Sequence, residues 1–454
     1  MIAGLVCISS AALLRIMATG TLKVDHVPVP AGSNMAKLLL LGLGVTLLSA
    51  GYLRLTKTCQ APSLKAALLL GLLAATAATA LPLTSNDLFS NLHYGHLHVY
   101  QGVNPYTATA EQLRAGQFEP YVSRYWKTMP CVYGPLLSGL ASLAVVLGGP
   151  GLWGGVIAYK GLLLLVALTL ALLGWLHGRE TAQPKIFWLW ATSPIWLFEI
   201  AGQAHNDGLM VVLVACALLL SLRERQIAAA AILGLGIAAK YVAAVPLAFL
   251  LAWQALHKRL VLAGLMLITA AVALIPGYAL FWDGWQTVVR PLSALGAPRF
   301  ADSFLKFVYW ASLPFGDQVV HYTYRVVWLA LWGGLIYLCL RWMRAWPKDA
   351  PVHAPWATAG RMIQVHNILL NRHFLPWYLS WLIPLLACER DQSWWQLFYV
   401  HSYLALLHYA LHVDHVASEP FNILLIHLVP TWMLIRMAKG KPALPGEFSQ
   451  RFGL

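Results

Sequence analysis

The sequence predicts an all-α polytopic membrane protein, on three observations. Of its 454 residues, 59% are hydrophobic and only 11% are charged, against about 25% charged in a soluble domain. Mean hydropathy is +0.65. Apolar runs also recur along the whole chain at lengths near the roughly 20 residues a helix needs to cross a bilayer.

The candidate spans are 2–19, 36–54, 66–83, 152–176, 185–201, 206–222, 226–240, 242–256, 260–281, 320–343, 355–370, 374–388, 393–412 and 419–437, giving a bundle of about 12–14 helices. The first lacks a basic leader and a clear cleavage site, so it is predicted as a retained span. The pair 226–240 and 242–256 reads as a half-depth hairpin. Basic residues set the orientation, because positive charge resists translocation. Arg54, Lys57 and Lys65 share one loop, Arg179 and Lys185 another, Arg223 and Arg225 a third. Lys258 with Arg259, then Arg341, Arg344 and Lys348, and finally Arg436, Lys439, Lys441 and Arg451 complete the set. One topology puts all of them on the cytoplasmic side. It requires 135–148 not to cross, and it leaves two large outer loops, 84–151 and 282–319.

This distribution accounts for the net charge of +14 without any nucleic-acid partner. The six Cys, at 7, 59, 131, 216, 339 and 388, form no CxxC pair and no metal-ligand spacing, so neither a disulfide framework nor zinc is expected. No soluble domain and no internal repeat is evident, and a monomer is expected.

Polar chemistry gathers at the outer ends of the spans. Asp87, in SNDLF, stands at the end of the third span. Partial burial there is expected to raise its basicity, which suits a general base accepting a hydroxyl proton. Asn86 or Asp87 could equally cap the next helix. The stretch LHYGHLHVYQG alternates Leu92, Leu97 and Val99 with His93, Tyr94, His96, His98 and Tyr100, the pattern of a helix lying in the interface. Histidines 93, 96 and 98 do not share one helical face, so no metal is expected. GVNPY follows as a turn, with Asn104 and Tyr106. Tyr and Asn beside a carboxylate are side chains that hold sugar hydroxyls.

Three more clusters stand out. His205, Asn206 and Asp207 lie where one span ends and the next begins, with Glu199 about two turns deeper. Ionisable groups inside a membrane mark function by default. Arg372 and His373 occupy an outer tip followed by Trp377 and Tyr378, where interface anchoring is the alternative reading. Lys240, far from its cytoplasmic ends, needs an anion. Arg290, Arg299 and Lys306 add charge to the 282–319 loop. One substrate class fits a carboxylate, sugar-type polar aromatics and cations at a lipid boundary: a sugar on a lipid phosphate. Cations would stabilise the departing phosphate.

Taken in order, SNDLF…YG…G-x-NPY, YGPL (133–136), HND (205–207), K-Y-x-x-x-x-P (240–246) and PWY (376–378) resemble the GT-C glycosyltransferases. The likeness is greatest to the polyprenyl-phosphate-mannose-dependent mannosyltransferases of bacteria, with the mannosyltransferases of GPI-anchor synthesis more distant. It covers residues 66–390, leaving 1–65 as extra N-terminal spans and 391–454 as C-terminal spans and tail. The resemblance implies a GT-C fold in the bacterial inner membrane, with juxtamembrane helices in the first outer loop and the site facing the periplasm. It implies an inverting transfer with Asp87 as base, from a polyprenyl-phosphate donor to a glycolipid or glycan hydroxyl. Donor-phosphate contacts fall to His373 and Lys240, with Arg372, Arg290 and Arg299 behind them. Asn86, His93, Tyr94, Asn104, Tyr106, His205, Asn206, Asp207 and Tyr378 would hold sugar and acceptor. A second acid near the first is missing in this loop, so metal independence is expected and no cofactor is implied. Gly134 stands where many relatives have Pro. The competing readings are a lipid-linked oligosaccharide polymerase or ligase, and a transporter or flippase. The last is disfavoured by the absence of a repeat and the gathering of polar groups on one face.

Overall fold

The computed structural model describes residues 1–24, 31–58, 62–109, 111, 116–296, 301–346, 352–411 and 419–445. These residues are helical with no β-strand among them, and one isolated bridge pairs Ala301 with His373. Among them, six helices are long and apolar enough to cross a membrane: Ile2–Thr19, Met35–Lys57, Leu152–Glu180, Leu260–Leu280, Arg325–Ala345 and Glu419–Ala438. The protein is an all-α polytopic membrane protein, as its composition predicts. Several other predicted spans are short or broken helices.

The chain packs as two compact units, Met1–Leu247 with Gly264–Ala297, and Ala248–Ala263 with Pro298–Leu454. The first begins with α1 (Ile2–Thr19), α2 (Ala31–Thr58) and α3 (Leu64–Thr79). Gly20 ends α1 in the left-handed conformation that glycine adopts without penalty, and Ser63 caps α3 by accepting from the Ala66 N–H. The α1–α2 pair packs together and also touches the rest of the unit, α1 on α3 and α2 on a later helix. Arg15, nearly fully buried, donates to the carbonyls of Lys23 (2.5 Å), Leu22 (3.1 Å) and Pro82 (3.3 Å). The Val24 N–H then donates to Asn86 Oδ1 at 2.8 Å. The first of the two extra spans and the segment after it therefore clamp the loop that leads into Asp87.

Next come α4 (Asp87–Gln101), α5 (Arg124–Lys127), α6 (Pro135–Gly148), α7 (Leu152–Glu180) and α8 (Lys185–Ala191). The sequence predicts α4 as an interfacial helix with one wet face. Instead every residue from Asp87 to Leu97 is buried, because α6 lies directly against it. Gly95 permits this: a Cβ there would strike the Ala141 carbonyl of α6. At 14 residues, α6 is about 21 Å long, short of the roughly 30 Å hydrocarbon core.

The predicted span 185–201 is broken at Thr192–Pro194 into α8 and a wide-turn helix, Trp196–Gly202, with i→i+5 bonding. Such wide turns concentrate at functional sites. Then α9 (Asp207–Leu222) and α10 (Gln226–Ala239) pack along each other. At Lys240 the backbone is extended (φ −152°, ψ 131°) and a single turn, Tyr241–Ala243, leads into α11 (Ala244–Leu256). Here only glycine fits at position 134: its N–H donates to the Ala239 carbonyl at 3.0 Å, and a Cβ on Gly134 would run into the Ala238 carbonyl. The start of α6 is thereby pressed onto the break beside Lys240. The unit resumes at Gly264, within α12 (Leu260–Leu280), and ends with α13 (Gln286–Gly296).

The second unit holds α14 (Leu305–Ser312), α15 (Asp317–Ala345), α16 (His353–Val365), α17 (Ile383–Leu386), α18 (Gln392–Leu411) and α19 (Glu419–Ala438). A second wide-turn segment, His366–Leu370, prolongs α16, and PWY opens the turn Pro376–Leu382. Arg361 is tied to Glu389 by two 2.7 Å bonds, and Lys306 pairs with Glu419.

Candidate active site

Five segments of the first unit bring charged and polar side chains together around Asp87. The carboxylate opens α4 and is 8% exposed. Its Oδ2 accepts from the Tyr133 hydroxyl at 3.2 Å and lies 3.5 Å from His205 Nδ1. The Asp87 N–H donates to Ser85 Oγ at 3.1 Å, while Asn86 occupies the N-cap position without a side-chain capping bond. Asn91, one turn on, donates to the Asp87 carbonyl at 2.8 Å and accepts from Asn206 at 2.9 Å. This Asn–Asn bond ties α4 to the head of α9. On its far side, His205 Nε2 lies 3.4 Å from Glu199 Oε2 in the wide-turn helix.

The other ion pair joins Lys240 Nζ to Asp207 Oδ1 at 2.6 Å, and the ammonium lies 5.8 Å from the centre of the Tyr133 ring. Tyr133 thus faces both Asp87 and Lys240, which is the consequence of Gly134's tight seat. Gln203 Oε1 accepts from the backbone N–H groups of Leu83 (2.7 Å) and Thr84 (3.1 Å), anchoring the approach to Asp87. Lys160, on α7, donates to the Gly202 carbonyl at 2.5 Å, capping the end of the wide-turn helix.

Electrostatics corrects one expectation. Burial does oppose ionisation of Asp87, but the hydrogen bond and charge of His205, then Lys240 and Tyr133, outweigh it. The carboxyl is held below its ordinary range rather than raised. Burial likewise opposes protonation of His205, but Asp87 and Glu199 on either side carry it up to about 9. At neutral pH this is an imidazolium between two carboxylates.

The remaining candidates divide. His205, Asn206, Asp207 and Lys240 all join the Asp87 cluster. Asn86 touches it through the chain, but its side-chain oxygen Oδ1 accepts from the Val24 N–H. His93 is fully buried and pushed down to about 4, by burial first and then by His96. Tyr94 donates to the Met129 carbonyl at 3.4 Å. Asn104 fixes its turn, accepting from the Tyr106 N–H at 3.0 Å and donating to the Phe281 carbonyl at 2.7 Å. The Tyr106 hydroxyl donates to the Tyr133 carbonyl at 2.9 Å and lies 2.8 Å from Ser138 Oγ. Arg290 donates to the Thr107 carbonyl at 2.6 Å. In these positions GVNPY and Arg290 brace the loop behind Tyr133. Arg372, His373 and Tyr378 lie in the second unit, Arg372 over Trp328 (5.2 Å) and Tyr378 stacked on Trp381 (4.3 Å). Arg299 lies outside the described residues. Among the described residues no group of three or more His, Cys, Asp or Glu is arranged to hold a metal ion.

Three members of the cluster are not among the site residues expected from the sequence: Tyr133, Asn91 and Glu199. YGPL flags Tyr133 as a motif residue, and Glu199 is visible as a carboxylate within a span. Nothing local marks Asn91.

An acid opening the buried helix α4, HND on the next polar turn and Lys240 at a helix break stand together on an all-α membrane bundle, and the family match and relatives support a glycosyltransferase of the GT-C type. The family described as "Alpha-(1->6)-mannopyranosyltransferase, N-terminal domain" matches residues 2–257, and the chain belongs to it. The chain is 27% identical over 350 residues to "Alpha-(1->6)-mannopyranosyltransferase A" of Corynebacterium glutamicum, covering 69% of each chain. It is 26% identical to the protein of the same name from Mycobacterium tuberculosis, over 68% of this chain and 62% of that one. With "Alpha-(1->6)-mannopyranosyltransferase B" of Corynebacterium glutamicum it shares 23% identity over 44% of this chain and 36% of that one. The chain therefore spans between about a third and about two thirds of these relatives' lengths. No solved structure matches it.

Proposed function

We propose that this protein transfers a mannosyl residue from a polyprenyl-phosphate donor to a hydroxyl of a glycolipid or glycan on the outer face of the membrane. The names of its relatives point to an α-(1→6) product. With inversion, that product requires a β-linked phosphate donor. The acceptor 6-hydroxyl oxygen bonds to the anomeric carbon as the bond to the phosphate oxygen breaks. Asp87 takes the hydroxyl proton, and polyprenyl phosphate leaves with the electron pair. Lys240 offsets the growing charge, and no metal is required. The basic loops leave the Asp87 end of α4 outside, which supports the orientation.

The observation that carries this reading is the carboxylate of Asp87, which His205 and Tyr133 hold ionised and aimed within the family-matched region. Asp87→Asn keeps the shape and removes the base. Membranes containing this variant, supplied with radiolabelled polyprenyl-phosphate mannose and octyl α-mannoside, are expected to lose roughly 1,000-fold in transfer rate. Transfer near the wild-type rate would remove Asp87 as the base.

A further inference from the structure

Tyr94 and Tyr106, which the sequence offers as sugar contacts, leave no ring face open to a ligand. They are 3% and 1% exposed, and their hydroxyls bond backbone carbonyls. Two other rings beside the charged cluster stay partly exposed, Tyr133 and Trp126. Tyr133 packs against the buried Tyr94, Tyr106, Cys131 and Phe281, which fixes its ring. Its hydroxyl reaches Asp87 Oδ2 at 3.2 Å, and the Lys240 ammonium stands 5.8 Å from its centre. The ring therefore spans the gap between the base and the phosphate cation. Trp126, on α5, extends it, with ring centres 6.5 Å and planes 39° apart. The segment that carries both rings is tied down along its length. Lys127 Nζ pairs with Glu119 Oε1 at 2.5 Å, the Glu111 N–H donates to the Lys127 carbonyl at 2.9 Å, and the Cys131 N–H donates to the Pro105 carbonyl at 2.8 Å.

We infer that Tyr133 and Trp126 form the platform on which the donor's mannosyl ring stacks. The inference rests on the proposed transfer and names the residues that hold its sugar. In an inverting displacement the anomeric carbon has the incoming oxygen on one side and the departing phosphate on the other. With Asp87 beside the incoming oxygen and Lys240 beside the phosphate, the transferred sugar lies in the gap that Tyr133 spans. A β-linked mannosyl ring carries axial C–H groups at carbons 1, 3 and 5 on one face. The electron-rich face of an aromatic ring attracts such groups. The incoming oxygen reaches carbon 1 from that same face, and Asp87 and Tyr133 stand side by side to meet it. A stacked sugar sits about 3.5–4.0 Å from the aromatic plane, nearer than the ammonium. Lys240 is thereby left for the phosphate on carbon 1.

The test uses the full chain in detergent, radiolabelled polyprenyl-phosphate mannose and octyl α-mannoside. Tyr133→Leu and Trp126→Leu each remove a flat ring. Donor KM is expected to rise about tenfold in the first and severalfold in the second, with acceptor KM within twofold. Polyprenyl phosphate carries no sugar, so its inhibition constant is expected to stay within twofold in both. Tyr133→Phe keeps the ring and loses the bond to Asp87; it is expected to keep donor KM and lose a few-fold in kcat. Unchanged donor KM in both leucine variants would overturn the platform. So would equal weakening of the mannosylated and the sugar-free lipid, which marks a structural role. A rise confined to acceptor KM overturns it too, because the acceptor's sugar then lies there. Should Tyr133→Leu fail to fold, Trp126→Leu, at a partly exposed side chain, decides by the same readings. Asp87→Asn in the same assay separates the two ideas. If it is inactive while donor KM is unchanged in the leucine variants, only the platform falls. If it is active, the base falls and the KM values still decide the platform. If the wild-type chain moves no mannose from this donor, both fall.

Discussion

In the first unit His205 lies between two carboxylates, whereas in the second His401 and His427 lie against a phenylalanine ring and each other. The Phe374 and His401 rings stack at 5.2 Å and 15°, and His401 meets His427 edge-on at 5.4 Å. His427 Nε2 bonds the Asp302 backbone carbonyl at 2.7 Å, while neither ring nitrogen of His401 has a hydrogen-bond partner among the described residues. All three imidazoles are buried. One is placed by charge at the joints of broken helices, and the others are placed by ring packing in the body of α18 and α19. A charged imidazole needs its carboxylates and can move a proton. A stacked one acts as a polar substitute for an aromatic. The difference separates chemistry from packing among residues that look alike in the sequence.

The comparison breaks first at Lys240. If the charged cluster is a site, Lys240→Met removes both the cation for the leaving phosphate and the ion-pair cation of Asp207, which is almost wholly buried. Removing one member of a buried ion pair costs about 3–5 kcal/mol, so a marked drop in melting temperature is expected together with a roughly 100-fold fall in transfer. The double variant Lys240→Met with Asp207→Asn is expected to regain the stability and not the activity. Recovery of both would make this pair structural and place the phosphate cation elsewhere.

The next effect is smaller and depends on pH. The folded state raises His205 from an ordinary value near 6.5 to about 9. Its contribution is therefore complete below about pH 6.5 and is lost as pH rises through about 9. By linkage it amounts to roughly 3–4 kcal/mol. Asp87 acts in the opposite direction: its lowered value adds stability above the ordinary carboxylate range, lost as pH falls through the folded value. Melting temperature in detergent is thus expected to decline between pH 7 and 10, and the decline is expected to flatten in His205→Asn. An equal decline in both proteins would mean that the imidazolium between Asp87 and Glu199 is not what titrates.

Much of this was legible in the residues. Low charge and recurrent apolar runs give the fold class, and the polar breaks at 87, 205–207 and 240 name the segments that meet. What the sequence hides is how they meet. Asn91 reaches Asn206 across 115 positions, a contact that only the packing of α4, α7 and α9 decides. Tyr133 reaches Asp87 because a glycine lets one backbone press on another, and no propensity encodes that approach. Asn86, Asn104 and Tyr106 look like sugar ligands by type, yet each bonds the chain itself. An asparagine two residues before a satisfied N–H is a turn signal that could have demoted Asn104. The wide-turn helix around Glu199 has no periodicity to betray it. The role of the first span, opaque in the sequence, becomes physical once Arg15 and Val24 are seen to hold Pro82 and Asn86.

The smallest expected effect is the sharpest control on the comparison. His401→Phe keeps a flat ring against Phe374 and deletes two buried nitrogens that have no hydrogen-bond partner among the described residues. A buried polar atom without a partner costs about 1–3 kcal/mol, and crowding by the slightly larger ring offsets part of the gain from removing it. Melting temperature is therefore expected to stay level or rise by a few degrees, with kcat and both KM values within twofold. The same exchange at His205 leaves Asp87 and Glu199 buried without their shared cation, so it is expected to lose both stability and turnover. If His401→Phe instead loses more than tenfold in kcat, ring stacking is not what that imidazole is for, and the second unit also carries chemistry.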